Sequence, residues 1–352
     1  MKILLCLLAL ITCTSAQAEQ VLRFLSWQDY FDPAVLEDFQ QSTGIRVDYQ
    51  GFTTAQELMQ AMQGREAFDV IVPSHFMLKD LAASGKLATL DTARLAHYKQ
   101  LDPWLLSMLA GQPAAKQHVV PYLWGSVGIA INKTLAQAAY QGPLPSSWSL
   151  LFEPQQVSRL FSCGVGLLDA PQEVSSLMLN YKGRNTTVSS PRQISKALQP
   201  LQALMPRFAA LDNWAYIEGL SAGRLCLAMS WSGHALMAIE KNPALSYLIP
   251  DEGAAMYIDT LAIPSNAPNP ELAYRFIDFM IAPQNAVRNA RATRFYAPLP
   301  SDSAIMQVFA KAHPMQVMST EQRRGSYLLE SLSDAQKAAL DGTWQTLKAA
   351  RQ

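Results

Sequence analysis

The sequence predicts an α/β fold in two lobes, and three observations carry that expectation. From Val21 onward, strand-like runs alternate with helical ones along the chain. Phe68–Pro73 (FDVIVP) is apolar without interruption, the pattern of a parallel strand buried on both faces. No long linker divides the chain, while His118–Asn132 (HVVPYLWGSVGIAIN) is long enough to pass from one sheet to another. Two lobes joined by more than one crossing fit this better than two separate beads.

The first unit is the most informative. A strand at Val21–Leu25 ends in Ser26-Trp27-Gln28-Asp29-Tyr30, a helix follows from Pro33, and a second strand starts near Ile45 after Gly44. Open α/β sheets bind ligands at the carboxyl ends of their strands. A Trp beside an Asp in that loop suits a ligand that is part cation and part hydrocarbon. Further along, Met77–Ser84 reads as a helix stopped by Gly85. Val165–Leu168 and Leu225–Ser230 read as short strands, and Asn213–Leu220, Glu271–Ile281 and Ser333–Arg351 as helices.

The N-terminus reads as an export signal. Lys2 precedes the apolar run Ile3–Ile11, and Ala16-Gln17-Ala18 fits the small-x-small cleavage rule, so residues 1–18 form the leader and the mature chain begins at Glu19. The apolar run is too short for a permanent membrane span. Lipidation at Cys13 is the alternative, with Thr12 before it a poor match. Basic and acidic residues number 28 each, and only Lys2 among them lies in the leader. That balance, without charge runs, gives no reason to expect nucleic acid or an anionic membrane as a partner. Cys163 and Cys226 are the two cysteines left after cleavage, and in an exported chain they point to one disulfide, against the alternative of two buried thiols.

Motifs for catalysis are weak. Gly219-Leu-Ser221-Ala-Gly223 matches a nucleophile elbow, but the elbow needs a strand before the serine and a helix after it, and here the order is reversed. Gly164-Val-Gly166 lacks the third glycine of a dinucleotide loop. The five histidines show no zinc spacing, so neither a metal nor a cofactor is expected.

LSWQDYFDP (Leu25–Pro33), TGIRVDY (Thr43–Tyr49), FDVIVPS (Phe68–Ser74) and VPYLWGSVGIAIN (Val120–Asn132) together resemble the periplasmic polyamine-binding proteins that feed ABC importers. CGVGLLDAPQE (Cys163–Glu173), LCLAMSWSGHA (Leu225–Ala235) and PDEGAAMYIDTLAIP (Pro250–Pro264) extend the resemblance over almost the whole mature chain. It implies a type II periplasmic binding protein fold whose lobes close on a ligand cleft. The first lobe would comprise residues 19–125 and 254–298, the second residues 126–253 and 299–352. It also implies a monomer in the periplasm, with a polyamine as ligand and an inner-membrane permease as partner. A periplasmic norspermidine-type sensor working through a membrane cyclic-dinucleotide enzyme is the alternative. An exported serine hydrolase using Ser221 is a second.

The resemblance carries ligand roles to Trp27, Gln28, Asp29, Ser74, Phe76, Glu173, Trp231, His234, Tyr257, Asp259 and Tyr296. Chemistry agrees with the set: acids accept charge-assisted hydrogen bonds from ammonium ends, and aromatic faces cover methylenes and attract cations. Each residue also has a plainer reading. Phe76 or a lone Trp suits core packing, Asp29 or Asp32 could cap the next helix, and Glu173 could be a first-turn helix acid. His234 departs from the family, whose diamine-binding members place an acid there. If it faces the ligand, an ordinary titration near pH ~6.5 would make it repel an ammonium group in mild acid. If it points away, it hydrogen-bonds within the second lobe.

Overall fold

In the computed structural model, which describes residues 19–112 and 115–351, ten strands join in one hydrogen-bonded sheet. They are β1 (Gln20–Trp27), β2 (Ile45–Phe52), β3 (Val70–Ile71), β4 (Val119–Asn132), β5 (Val165–Leu167), β6 (Ala210–Leu211), β7 (Leu227–Trp231), β8 (Leu245–Leu248), β9 (Ala255–Ala262) and β10 (Tyr327–Leu328). The main path runs β2-β1-β3-β9-β4-β7-β5-β6, with β8 added on β4 and β10 on β9. The leader and Cys13 lie outside the described residues.

Two parallel clusters sit at the ends of this path. In the first, β1 pairs in parallel with β2 from Gln20↔Ile45 to Trp27↔Phe52, so both strands end at the same edge. The connecting helix Pro33–Thr43 is capped by Asp32, whose carboxylate accepts from Ala34 N–H at 3.0 Å, and ends at Gly44 with φ 72°. Asp32 rather than Asp29 is the cap. The FDVIVP run forms only two residues of ladder in β3, because its later residues turn toward Asp259 and Thr260. Phe24 packs edge-on against Phe276 with ring centroids 4.9 Å apart, and burying such a side chain stabilises by roughly 1.5–3 kcal/mol.

In the second cluster, β7 pairs with β5 and β5 with β6, all parallel. Cys163 and Cys226 form a disulfide, Cα atoms 5.5 Å apart, just ahead of the paired residues Val165 and Leu227. The bridge staples the leading ends of two adjacent strands, as expected from the cysteine count.

β4 joins the clusters. Its first part, Val119–Val127, pairs antiparallel with β9; its last part pairs with β7 and β8. All its residues are buried, which explains its uninterrupted apolarity. Gly125 is required where it crosses, since a Cβ there would lie 2.3 Å from the Tyr257 hydroxyl.

The C-terminal region divides its allegiance. Helix Ala304–Ala312 packs on helix Pro283–Thr293. Arg323 pairs with Asp102 at 3.3 Å and lies over the rings of Trp104 and Trp124. Helix Asp334–Ala349, opened by a capping box of Ser333 and Gln336, packs instead on helices Pro171–Tyr181 and Pro191–Leu198. Among the described residues no helix is long and apolar enough to cross a membrane.

Candidate functional site

The carboxyl ends of β1 and β3 on one side, and β7 with the start of helix Pro171–Tyr181 on the other, enclose a cavity of about 80 Å³. One enclosed water needs roughly 10–15 Å³ in this measure, so the space exceeds a single solvent molecule several-fold. Asp259, on β9, lies in its wall with 4% of its surface exposed. Tyr30 donates to its Oδ2 at 2.7 Å and Ser74 donates to its Oδ1. Burial pushes the Asp259 pKa up to about 6, against the pull of the hydrogen bonds from Ser74 and Tyr30 and the nearby Trp27 indole. The Trp27 N–H itself meets no acceptor at regular hydrogen-bond geometry.

Glu173 lines the same cavity from the first turn of its helix. Desolvation raises it to about 7; its own backbone N–H lowers it, the Asp259 charge raises it, and the Trp231 indole lowers it. Among the described residues neither acid has an ion-pair partner. Both carboxyls face one cavity, burial raises the pKa of each, and among the described residues neither meets a cation of the chain.

The walls are aromatic. Trp27, Phe76, Trp231 and Tyr257 all line the cavity, as the sequence leads one to expect. Trp27 leans on Phe52, centroids 4.5 Å apart. The Tyr257 hydroxyl is buried near Ser232 without a regular hydrogen bond. Gln28 stands exposed at the rim.

His234 lies between the cavity and the second lobe's interior. It lines the cavity, yet is only 6% exposed, and its Nδ1 is 3.1 Å from the Tyr216 hydroxyl within the second lobe. Its ring lies 4.7 Å from Trp214 and edge-on to Trp231 at 5.3 Å. Desolvation in this aromatic cage lowers its pKa to about 3, so it stays neutral through mild acid and does not supply the pH switch expected of an ordinary histidine.

Two expected residues lie elsewhere. Asp29 is exposed, outside the cavity lining, with a left-handed backbone at φ 53° that turns Tyr30 inward. Tyr296 is core: it exchanges backbone hydrogen bonds with Trp124 and its ring lies 4.7 Å from that of Trp124, while Phe295 lines the cavity. Tyr30, Phe52, Thr53, Asn213, Trp214 and Phe295 are lining residues not foreseen. The parallel register that pairs Trp27 with Phe52 would have pointed to Phe52.

Other motifs resolve simply. Ser221 ends helix Ala215–Ser221 and its Oγ donates back to Ile217 O at 2.7 Å, with β7 following the helix. Among the described residues no cluster of three metal-type ligands occurs.

A family model described as bacterial extracellular solute-binding protein matches residues 34–316. The chain belongs to that family. It is 32% identical over 300 residues to the putrescine-binding periplasmic protein PotF of Escherichia coli (strain K12), covering 83% of this chain and 81% of that one. It is 29% identical over 345 residues to the putrescine-binding periplasmic protein SpuD of Pseudomonas aeruginosa (strain UCBPP-PA14), covering 96% and 94%. Among solved structures, the spermidine/putrescine ABC transporter substrate-binding protein PotD of Streptococcus pneumoniae superposes with a TM-score of 0.75 at 24% identity, covering 95% of this chain and all of the other. The fold is therefore the two-lobed type II periplasmic binding protein fold, with its cleft between the lobes.

Proposed function

We propose that the protein captures a small polyamine, a diamine first of all, in the periplasm and delivers it to an ABC importer in the inner membrane. The observation that carries this reading is the pair Asp259 and Glu173, two acids that among the described residues have no ion-pair partner and face one aromatic-walled cavity. An alkyl diammonium ligand would place one end on Asp259, seated by Tyr30 and Ser74, and the other toward Glu173, with its methylenes between Trp27, Phe76 and Trp231. The names of the relatives support the ligand class and the location. Capture and delivery of this kind involve no chemical step.

We further assign residues 19–125, 254–298 and 299–325 to the first lobe, since the Ala304–Ala312 helix and Arg323 pack there. The second lobe then comprises residues 126–253 and 326–352. Closure of the two would complete the acid pair, because Asp259 belongs to one lobe and Glu173 to the other.

Titration calorimetry of the purified mature protein against putrescine, cadaverine, agmatine and spermidine tests the reading. Saturable one-to-one binding of at least one amine, lost in Asp259→Asn, is the expected result. Absence of binding to all four overturns it.

A further inference from the structure

Beyond the inner cavity lies an outer chamber of about 420 Å³, continuous with it past Trp27, Phe76, Glu173 and Trp231. Two of its acids, Asp80 and Asp169, are held by lysines, while a third, Asp341, stands exposed, where an ammonium group would gain little. Lys337, near the start of helix Asp334–Ala349, reaches across the chamber and bonds Asp80 Oδ2 on helix Leu78–Ala83. Asp169 is held by Lys348 Nζ at 2.6 Å and by the Trp344 indole at 2.7 Å. Among the described residues the inner acids Asp259 and Glu173 have no such partner, so lysines hold Asp80 and Asp169 while the inner pair is left open.

We propose that Lys337 is a tethered ammonium group that occupies the outer amine position on Asp80 and so restricts the site to short diamines. This rests on the amine reading given above. A triamine whose two ends filled the inner cavity would project its third ammonium past Glu173 into the outer chamber. To reach Asp80, the more buried carboxylate there, it would have to displace Lys337. A group held on the same molecule competes at an effective concentration on the order of millimolar. The Lys337 backbone is fixed by the Ser333–Gln336 capping box, and its side chain is 31% exposed, so the ammonium is held in place but still reachable from solvent. The third ammonium of a triamine already bound by its other ends is tethered as well, so exchanging one ammonium for the other on Asp80 gains little.

The pair also joins the two lobes, so a simple latch between them is the rival explanation, and two substitutions separate the cases. Lys337→Met keeps the apolar stem, removes the competitor and leaves Asp80 open. Asp80→Asn breaks the same ion pair but leaves no carboxylate to receive an amine. In calorimetry with the full mature chain, Lys337→Met should bind spermidine about tenfold more tightly than wild type while putrescine changes by less than about twofold. Asp80→Asn should give no spermidine gain. Equal gains in both variants, or none in Lys337→Met, overturn the proposal while wild-type putrescine binding leaves the amine reading standing. Wild type that binds neither amine overturns both.

Discussion

Tyr30, just beyond the end of β1, donates a 2.7 Å hydrogen bond to Oδ2 of Asp259 on β9. The contact joins residues far apart in the chain and fixes the direction in which the carboxylate faces the cavity. Ser74 serves the other oxygen. Asp259→Asn keeps the shape and removes the charge, so a bound ammonium would lose its partner in a desolvated site. Putrescine binding should weaken by more than about 2 kcal/mol. Tyr30→Phe removes only the orienting bond and should cost about 1 kcal/mol. Calorimetry on the two variants checks the ranking; equal losses would show that Tyr30 does more than orient the acid.

The pH dependence follows from the acids. On the proposed reading the ammonium ends need Glu173 and Asp259 ionised, and burial raises these acids to about 7 and about 6. Affinity for putrescine should therefore fall as pH drops from 8 to 5.5. His234, held at about 3, is neutral throughout, so His234→Asn should leave that slope unchanged. Measuring the dissociation constant of wild type and variant at four pH values tests this; a flattened slope in the variant would return the effect to the histidine.

Ligand-free stability should move the other way. Both carboxyls have folded pKa values above the ordinary carboxylate range, so the folded chain holds their protons more firmly than the unfolded one. Their contribution is full below about pH 4 and is lost as pH rises through about 6 and then 7. The charged acids thus burden the empty protein where they serve the ligand best. Comparing melting temperatures of wild type with Glu173→Gln/Asp259→Asn at pH 5.5 and 8 isolates these two groups from His234. The double variant should gain relative stability at the higher pH, and a constant difference would sink the argument.

The disulfide gives a prediction independent of the ligand. Cys163 and Cys226 are separated by 63 positions, and the chain-entropy model gives roughly 4 kcal/mol for closing a loop of that size. Thiol titration of denatured, unreduced mature protein should find no free thiol. Cys163→Ser/Cys226→Ser should fold with a lower denaturant midpoint, because the strands it staples retain their backbone pairing at Val165 and Leu227.

The loop after β1 was legible because an apolar run ends there in a polar, aromatic segment, and the family resemblance implied the rest. Trp27, Ser74, Phe76, Glu173, Trp231, His234, Tyr257 and Asp259 are all brought to one cavity. Asp29 and Tyr296 are not among the cavity-lining residues, while the neighbours Tyr30 and Phe295 are. At 29–30 the left-handed backbone of Asp29 sends its side chain to solvent and Tyr30 inward. At 295–296 a two-way backbone exchange with Trp124 draws Tyr296 into the core and leaves Phe295 at the cavity. Neither backbone detail has a signature in residue type. Asn213 and Trp214 come from the segment before a helix whose interest in sequence was only the serine at its far end. The outer pair Lys337–Asp80 depends on where the last helix docks, which periodicity alone does not fix.

His234 offers a last test, in which donor counting sets the tautomer. The Ser230 hydroxyl donates to Trp231 O at 3.0 Å, so toward Tyr216 it can only accept. The Tyr216 hydroxyl, 3.0 Å from Ser230 Oγ, spends its proton there. At 3.1 Å from His234 Nδ1 it must then accept, which places the ring proton on Nδ1 and leaves Nε2 as a bare acceptor. Such a nitrogen can receive an ammonium proton as a neutral partner, where a carboxylate would add a third buried charge. Nitrogen NMR of the ligand-free protein at pH 7 should show a pyridine-type Nε2 and a protonated Nδ1 for His234. Tyr216→Phe removes the acceptor that holds the proton on Nδ1, and the ring should shift toward the other tautomer. Where Nε2 serves the ligand, that tautomer offers an N–H in place of an acceptor, and putrescine binding should weaken by about 1 kcal/mol or more. A wild-type ring already protonated at Nε2 would reverse the hydrogen-bond chain and remove His234 as an acceptor.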